Sequence, residues 1–321
     1  MNEKLKLFQQ EVGKTVIGNE TAVSGLFTAV LAGGHVLVEA APGSGKTSLL
    51  LTAAKAMGLD YSRIGLTQDT MDADVLGTVV QDNGKIRYRK GAVYTNLFIA
   101  ENLDRASGTV RSIVTDIMED GKLLVGGRPI PLPAPFITAA TIEAEYGKYD
   151  QLSPEEKDRF MVRLPMAYLS GKDNMSMMRR RTSEQAPPPE ISAVMTAQDI
   201  VDMKAEAEAV AVPDQVLKYI SDLVKASRAH SAVAQGITPR GAMDISTMAR
   251  TRAYIMGKTE ASAEDVRAVL GMTAGHRMQI IPQARAFGES EDSVVTDLLK
   301  KVKAPREENA KTGSKKGGHR E

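Results

Sequence analysis

The 321-residue sequence contains no cysteine and no tryptophan, and aromatic residues make up only 4% of it. Without cysteine the chain can form no disulfide, no thiol nucleophile and no cysteine-ligated metal site. Only four histidines occur, and none has the spacing of a metal ligand set. The sequence therefore excludes disulfide scaffolds, thiol enzymes and zinc modules.

Long apolar runs and an excess of one charge are also missing. No apolar stretch approaches the ~20 residues of a membrane-spanning helix, and the N-terminus lacks a signal-peptide pattern. The 41 basic and 40 acidic residues leave a net charge of +1, so no global field attracts nucleic acid. We predict a cytoplasmic protein with neither a membrane span nor a nucleic-acid partner.

One stretch carries a defined chemistry, because an apolar run, a glycine-rich turn and a helical pattern follow one another. Val36-Leu37-Val38 predicts a buried strand, and the residues from Ser48 to Ala56 predict a helix. Between them, the residues from Ala40 to Thr47 follow the phosphate-loop pattern, with Ala40 in place of the first glycine. In the usual pattern this first glycine eases the turn of the backbone out of the strand and makes little contact with phosphate, so alanine can replace it. The loop is thus predicted to bind a nucleoside triphosphate.

The residue types in this loop suit phosphate. The glycines let backbone N–H groups turn inward, and the helix N-terminus adds partial positive charge. We expect the Lys46 ammonium to reach the β- and γ-phosphates and the Thr47 hydroxyl to ligate Mg²⁺. The predicted nucleotide-contacting residues of the loop are Pro42, Gly43, Ser44, Gly45, Lys46, Thr47 and Ser48.

The rest of the pattern divides the chain into an α/β part and a helical part. Strands alternate with helices up to Leu164, which predicts a parallel sheet covered on both faces. Two hairpins interrupt the alternation, one turning at Asn83-Gly84 and one between Gly121 and Pro135. Beyond the sheet the periodicity is helical, and the Lys-, Gly- and Glu-rich tail from Ala304 is predicted to be disordered.

The predicted domains are large enough for each to have its own core. The segment between them contains Arg179-Arg180-Arg181, which we interpret as a solvated linker rather than a nucleic-acid patch. The boundaries are 1–165 for the nucleotide-binding domain, 166–195 for the connector, 196–285 for a helical lid and 286–321 for a helix end with the tail.

Four further segments are similar to motifs of one ATPase family, in the same order. The residues from Val16 to Glu20 resemble its opening motif at the adenine pocket, and Asn96-Leu97-Phe98-Ile99-Ala100 is similar to the stretch before its acidic pair. The residues from Asp158 to Leu164 resemble its arginine-finger segment, and Gly236-Ile237-Thr238-Pro239-Arg240 its second sensor. From about Val16 to Met278 the chain resembles the MoxR family of AAA+ ATPases.

The resemblance implies a P-loop AAA+ αβα sandwich with a parallel sheet, followed by a small all-α lid domain. It implies a homo-hexameric ring with ATP and Mg²⁺ at the subunit junctions. Val16 and Ile17 would lie at the adenine pocket, Arg159 would reach the γ-phosphate of the neighbouring subunit, and Arg240 would contact phosphates within its own chain. The implied activity is ATP-driven remodelling of a protein client, often with a partner that carries a metal-binding adhesion-type domain.

Three residues at two places in the chain depart from the family pattern. The family has Asp-Glu where this chain has Glu101-Asn102, and its first-sensor Asn corresponds to Glu143. Because the two changes are reciprocal, we hypothesise that Glu143 supplies the general base and Asn102 the sensing amide, while Glu101 faces the metal. Glu145 lies close enough in the sequence to compete with Glu143 for this role.

Other functions stay open from the sequence. If these changes are degenerative, the chain is a hydrolysis-deficient ATP-binding ring or adaptor. A magnesium-chelatase-type ATPase subunit has the same overall layout, although the segment from Pro131 to Phe136 fits MoxR at least as well. Nucleic-acid unwinding fits least, since no basic groove with interleaved aromatic residues is present.

Overall fold

The computed structural model describes residues 3–82, 85–125, 127–143, 152–182 and 189–305. The strands of this part are β1 (Val36–Ala40), β2 (Tyr61–Gly65), β3 (Gly77–Asp82), β4 (Lys85–Lys90), β5 (Leu97–Glu101), β6 (Lys122–Val125), β7 (Arg128–Pro131), β8 (Ile137–Glu143), β9 (Val162–Met166), β10 (Val233–Gln235) and β11 (Gln279–Ile280). The helices are α1 (Glu3–Gly13), α2 (Glu20–Leu31), α3 (Lys46–Ala56), α4 (Asp72–Leu76), α5 (Gly108–Asp120), α6 (Pro154–Asp158), α7 (Gly171–Thr182), α8 (Ala197–Glu208), α9 (Asp214–Arg228), α10 (Pro239–Ile255), α11 (Ala263–Ala274), α12 (Pro282–Ala286) and α13 (Glu291–Lys301), with 3-10 turns at Leu103–Arg105 and Gly275–Arg277.

Five parallel strands form the central sheet, in the order β2-β5-β8-β1-β9. In this register Val36 at the start of β1 lies opposite Val162, and Ala40 at its end lies opposite Glu143 and Met166. Residues that follow the strands therefore share one edge of the sheet, the carboxyl edge. Residues that precede the strands share the opposite edge, the amino edge. This division decides which of the predicted site residues can meet.

Both faces of the sheet are covered, as expected for parallel strands. Successive residues of a strand point to opposite faces. Accordingly, Val36 and Val38 join one hydrophobic cluster with residues of α1, α2 and α3, whereas Leu37 joins a second cluster with residues of α4 and α5. The α/β sandwich predicted from the alternating pattern is confirmed.

The helical region shares its core with one face of the sheet. Ile200 of α8 and Ile245 of α10 belong to the same cluster as Val36. Both helices pack on α2, which is buried on almost every side. A helix that is apolar nearly all round can cover the sheet with one side and the lid with another. The expectation of two separate cores is therefore wrong.

The predicted strand at Val36-Leu37-Val38 and the predicted helix from Ser48 to Ala56 form as β1 and α3, within two residues of their expected ends, but α7 differs. The sequence predicts only an exposed connector there, whereas residues 171–182 are helical, with Met175, Met177 and Met178 exposed. The periodicity that signals a helix comes from a buried face, which an exposed helix lacks. The Asn83-Gly84 turn, residues 183–188 of the connector and the tail beyond residue 305 lie outside the described residues. Across the described residues, no helix has the length and apolar character that crossing a membrane requires.

Candidate nucleotide-binding site

The phosphate loop leaves β1 at the carboxyl edge and enters α3. Gly43 has φ 74° and Gly45 has φ 93°, both in the left-handed region that side chains disfavour. A Cβ built on either glycine would meet no described atom within 4 Å. The loop therefore surrounds open space with turned backbone, next to the N–H groups of the first turn of α3, which have no partners within the helix. This is the geometry that holds phosphate.

The Lys46 side chain folds over its own loop. Its Nζ donates to the carbonyl oxygens of Ala40 at 2.7 Å and Ala41 at 3.1 Å. Burial lowers the pKa of Lys46, while the negative charges of Glu143, Asp104 and Glu101 act in the opposite direction. The ammonium thus lies among the predicted catalytic carboxylates, within the space where phosphates would replace the carbonyl oxygens as its partners.

A hydroxyl and a carboxylate converge beside this lysine. Thr47 Oγ1 donates to Oε1 of Glu101, the buried last residue of β5. Oxygen ligands of these two kinds are those that Mg²⁺ prefers, so the pair fits the predicted metal role. Arg63 Nε donates to Glu101 Oε2 at 2.7 Å. Sequence reasoning missed Arg63, since only the register, with Arg63 opposite Ile99, places it diagonally across from Glu101.

Asn102 and Glu143, the two reciprocal changes, lie on neighbouring strand ends. Asn102 has φ 56°, a left-handed conformation that asparagine tolerates better than most residues, and its N–H donates to Thr141 Oγ1 at 3.0 Å. Glu143 Oε2 accepts from Arg105 Nη2 at 2.6 Å. The structure therefore brings these predicted residues together. Glu145, the competing carboxylate, lies outside the described residues.

Asp104 is a carboxylate of this cluster that sequence reasoning did not assign. Its Oδ2 accepts from the Glu143 N–H at 3.4 Å, and its Oδ1 is buried with no hydrogen-bond partner among the described residues. Burial raises the pKa of Asp104. Its signal in the sequence is its place two residues after Asn102, in the turn that follows β5 at the carboxyl edge.

The predicted adenine-pocket residues Val16 and Ile17 are held at the same edge. Two residues further on, the side chain of Asn19 accepts from the Ala167 N–H at 3.0 Å and donates to the Ala167 carbonyl oxygen at 3.4 Å. Ala167 directly follows β9, whose last residue lies opposite Ala40 at the start of the phosphate loop. The contact between the two loops brings the Val16-Ile17 segment near the phosphate loop.

The two predicted arginines lie elsewhere, at the amino edge. Arg159 Nη1 contacts Asp116 at 2.7 Å and Glu119 at 3.3 Å, and Arg240 Nη2 contacts the same Glu119 at 2.7 Å. Two residues after Arg159, the Met161 N–H donates to the carbonyl oxygen of His35, which immediately precedes β1. Both arginines are thus tied to the end of α5 and to the start of the strands.

This position corrects the expectation that Arg240 contacts phosphates of its own chain. β1 spans five residues between the amino edge and the phosphate loop. At about 3.3 Å per residue, roughly 15 Å separates the two edges. In this arrangement Arg240 accompanies Arg159 and cannot reach the loop of the same molecule.

The sheet, the phosphate loop and the helical lid define an ATPase of the AAA+ class. A family model described as "ATPase family associated with various cellular activities (AAA)" matches residues 35–162, and one described as "AAA lid domain" matches residues 225–298. Relatives that carry the name MoxR match most of the chain. Together with the fold and the phosphate loop, these matches support a MoxR-family AAA+ ATPase.

Three similar proteins cover nearly the whole chain. YeaC of Bacillus subtilis is 28% identical over 94% of this chain and 95% of its own length. The chaperone MoxR1 of Mycobacterium tuberculosis is 28% identical over 92% of this chain and 81% of its own length. The crystal structure of a candidate ATPase from Cytophaga hutchinsonii superposes with a TM-score of 0.85 at 27% identity, covering 94% of this chain and 95% of that one.

Proposed function

We propose that this protein hydrolyses ATP at the junctions between identical subunits of a hexameric ring and uses the energy to remodel a protein client. The observation that carries the proposal is the separation of the two halves of the site. The phosphate loop and its carboxylates lie at the carboxyl edge, whereas Arg159 and Arg240 lie at the amino edge. Only a second copy, placed with its amino edge against this carboxyl edge, completes the site.

Both arginines suit a role on the neighbour's phosphates. A guanidinium presents planar donors to phosphate oxygens and stabilises the charge that develops on the transferred group. Arg159 and Arg240 rest on Glu119, which is about half exposed. The Arg240–Glu119 pair is partly exposed on both sides, and such ion pairs contribute only about 0–1 kcal/mol, so phosphate can replace Glu119 at Arg240 at little cost. The proposal therefore assigns both arginines to the adjacent subunit's nucleotide.

Residues at the carboxyl edge bind the nucleotide and move the proton. Thr47 and Glu101 would hold Mg²⁺, which when bound neutralises charge on the phosphates. Lys46 exchanges the carbonyl oxygens of Ala40 and Ala41 for phosphate oxygens. Val16 and Ile17 line the adenine side.

The general base is proposed to be Glu143, with Asn102 orienting the attacking water. A base must accept a proton at the reacting water, and the amide of Asn102 cannot. Glu143 lies beside Lys46, but Arg105 engages its carboxylate. Asp104 is the second carboxylate at this position, and its unpartnered Oδ1 makes it the necessary comparison.

The client is proposed to meet the two hairpins. The β3–β4 and β6–β7 hairpins form separate two-stranded sheets outside the central one. Val79 of β3 and Leu124 of β6 are exposed, and such apolar side chains offer contacts to an unfolded or loosely folded segment. A chaperone activity, as in the name of the relative MoxR1, suits this surface. A partner with a metal-binding adhesion-type domain is the partner class that the resemblance implies.

The testing experiment is steady-state ATPase activity of the purified chain at several protein concentrations. We expect turnover per subunit to rise with concentration, because each site needs two copies. Glu143→Gln should abolish turnover while ATP still binds, with Asp104→Asn as the matched variant. Loss of turnover in Asp104→Asn alone would transfer the role of base to Asp104.

Three other outcomes would contradict the proposal. Binding of ATP without turnover at any concentration would favour the alternative of a hydrolysis-deficient ring or adaptor. Turnover that does not depend on protein concentration would exclude a shared site. Stimulation by single- or double-stranded DNA would instead support a nucleic-acid motor.

A further inference from the structure

The side chain of Arg277, in the lid, is fully buried against the backbone around Arg159. Its Nη2 donates to the carbonyl oxygens of Asp158 at 3.0 Å and Phe160 at 2.9 Å, and its Nη1 donates to that of Met161 at 3.3 Å. These three carbonyls bracket Arg159. The guanidinium therefore holds the segment that carries the proposed finger.

The same guanidinium is bonded to the lid. Nη1 donates to the carbonyl oxygen of Thr273 at 2.5 Å, and Nη2 donates to Oδ2 of Asp244 on α10. Nε donates to Asp158 Oδ1 at 2.8 Å, and the same oxygen accepts from Thr238 Oγ1 at 2.7 Å. Thr238 is the N-cap of α10, two residues before Arg240. One network thus holds residues next to both proposed trans-acting arginines, Asp158 and Phe160 beside Arg159 and Thr238 two positions before Arg240.

The neighbouring His276 strengthens this connection. Its Nε2 contacts the Phe160 carbonyl oxygen at 2.9 Å, and burial lowers its pKa well below the ordinary value. A neutral ring whose Nε2 faces a carbonyl must carry its hydrogen there. Two adjacent side chains of the Gly275–Arg277 turn therefore donate to the same carbonyl beside Arg159.

Stability alone does not account for a buried guanidinium. Replacing a buried ion pair by apolar side chains is often neutral or stabilising, because desolvation offsets the attraction. What Arg277 provides is a directional set of donors, aimed at backbone on both sides of Arg159. Its charge and geometry are suited to fixing the position of that backbone.

We propose that Arg277 is a positioning residue that makes the finger segment and the lid one unit. The inference rests on the proposed function, in which Arg159 and Arg240 act on the neighbour's nucleotide. A movement of the lid then displaces the finger of the same subunit, and so controls hydrolysis at the adjacent site.

The test is Arg277→Lys, which retains a positive charge between Asp158 and Asp244 but cannot supply the full set of donors. We expect kcat to fall about tenfold to a hundredfold, as for small displacements of catalytic groups, while KM and ATP binding stay unchanged. The matched control is Arg252→Lys. Arg252 also lies in the lid, paired with buried Asp265, and its replacement should leave kcat within about twofold.

Mixed rings distinguish a finger defect from a general structural defect. Lys46→Ala subunits lack a working phosphate loop but keep an intact amino edge. Co-assembled with Arg277→Lys subunits, they should restore turnover above the sum of the two separate variants, as they should with Arg159→Ala. No recovery with Arg159→Ala overturns the proposed function and this inference with it. Recovery with Arg159→Ala but not with Arg277→Lys overturns the positioning role alone.

Asp244→Asn is the second variant, should Arg277→Lys fail to fold. It removes one charged partner of Arg277 from the lid side and leaves the contacts to the finger segment in place. The same loss of kcat at unchanged KM, restored by Lys46→Ala subunits, supports the proposal. A folded Asp244→Asn protein with unchanged kcat contradicts it.

Discussion

His35 joins three elements at the amino edge of the sheet. Its Nδ1 accepts from the Thr138 N–H at 2.9 Å, and its Nε2 contacts the Met118 carbonyl oxygen at 2.9 Å. One ring nitrogen must therefore accept while the other donates, which only a neutral imidazole can do. Burial lowers the pKa of His35 to about 4. From the sequence this residue is only a histidine without metal-ligand spacing.

The stability of the fold should consequently depend on pH between about 6.5 and about 4. The unfolded chain binds a proton below its ordinary pKa, whereas the folded chain does not until about pH 4, so stability falls with pH through this window. The contribution of His35 is complete above the window and lost below it, a change of about 3 kcal/mol. Urea unfolding at several pH values measures it. His35→Gln should flatten the dependence, leaving the part due to His276; an identical slope in this variant would refute the assignment.

For single residues, a motif of consecutive residues in the sequence predicts part of the candidate site. The loop that contains Lys46 can be identified because strand, glycines and helix are consecutive in the sequence. Asp104 and Arg63 could not be assigned in the same way, because their contacts depend on strand register. Glu119 was missed for a different reason. Its partner Arg159 lies in the segment before β9 and its partner Arg240 lies in the lid, and no local sequence pattern indicates that these two segments meet at α5.

Among the helices and strands, the C-terminal end of α3 forms a close contact with the segment that leads to α8. Gly58, just past the helix, has φ 60°, and a Cβ there would lie 2.3 Å from the Met195 carbonyl oxygen. The Val194 N–H also donates to the Ala56 carbonyl oxygen at 2.8 Å. Here the nucleotide-binding part and the helical part approach through backbone atoms, which cannot rotate away.

Gly58→Ala should therefore destabilise the protein more than an otherwise equivalent change. Gly257 is the matched control, since it follows α10 in the same way with φ 74° and its added Cβ would meet no described atom within 4 Å. Gly257→Ala should cost about 1–2 kcal/mol for the left-handed conformation. Gly58→Ala should cost a further 1–3 kcal/mol or so from the clash. Equal denaturation midpoints for the two variants would mean that the backbone at Met195 moves away from the added Cβ without a measurable loss of stability.

The helices also differ in how much of their packing a sequence pattern can predict. α5 and α10 each bury one regular face, as Val110, Val114 and Ile117 do in α5, and such a face leaves a helical pattern in the sequence. The described side chains of α7, at residues 171–179, bury no such face, and α2 is buried on nearly all sides, so neither pattern reports what the helix packs against. The shared core of sheet and lid follows from α2 and could not be read from either half alone.

For the molecule as a whole, the direction of the parallel sheet is decisive. Strand direction places every residue after a strand at one edge and every residue before a strand at the other, and the two halves of the proposed site fall on different edges. The order of motifs along the chain predicts both halves. It does not predict that Arg240 shares the edge of Arg159, because that depends on how the lid docks on Asp158 through Arg277.

Glu119 is proposed to compete with the neighbouring subunit's nucleotide phosphates for Arg159 and Arg240. In the single chain it is the common partner of Arg159 and Arg240, and the proposed ring requires both arginines to exchange it for phosphate. Glu119→Gln should therefore lower the protein concentration at which turnover is half-maximal, by up to about fivefold for an exposed interaction of about 1 kcal/mol. The control is Glu155→Gln, since Glu155 is largely exposed and lies 3.6 Å from Arg159 alone. A concentration series of ATPase activity measures the shift. If Glu119→Gln instead reduces turnover at saturating concentration, Glu119 holds the arginines in their working position, and the competition between Glu119 and phosphate does not exist.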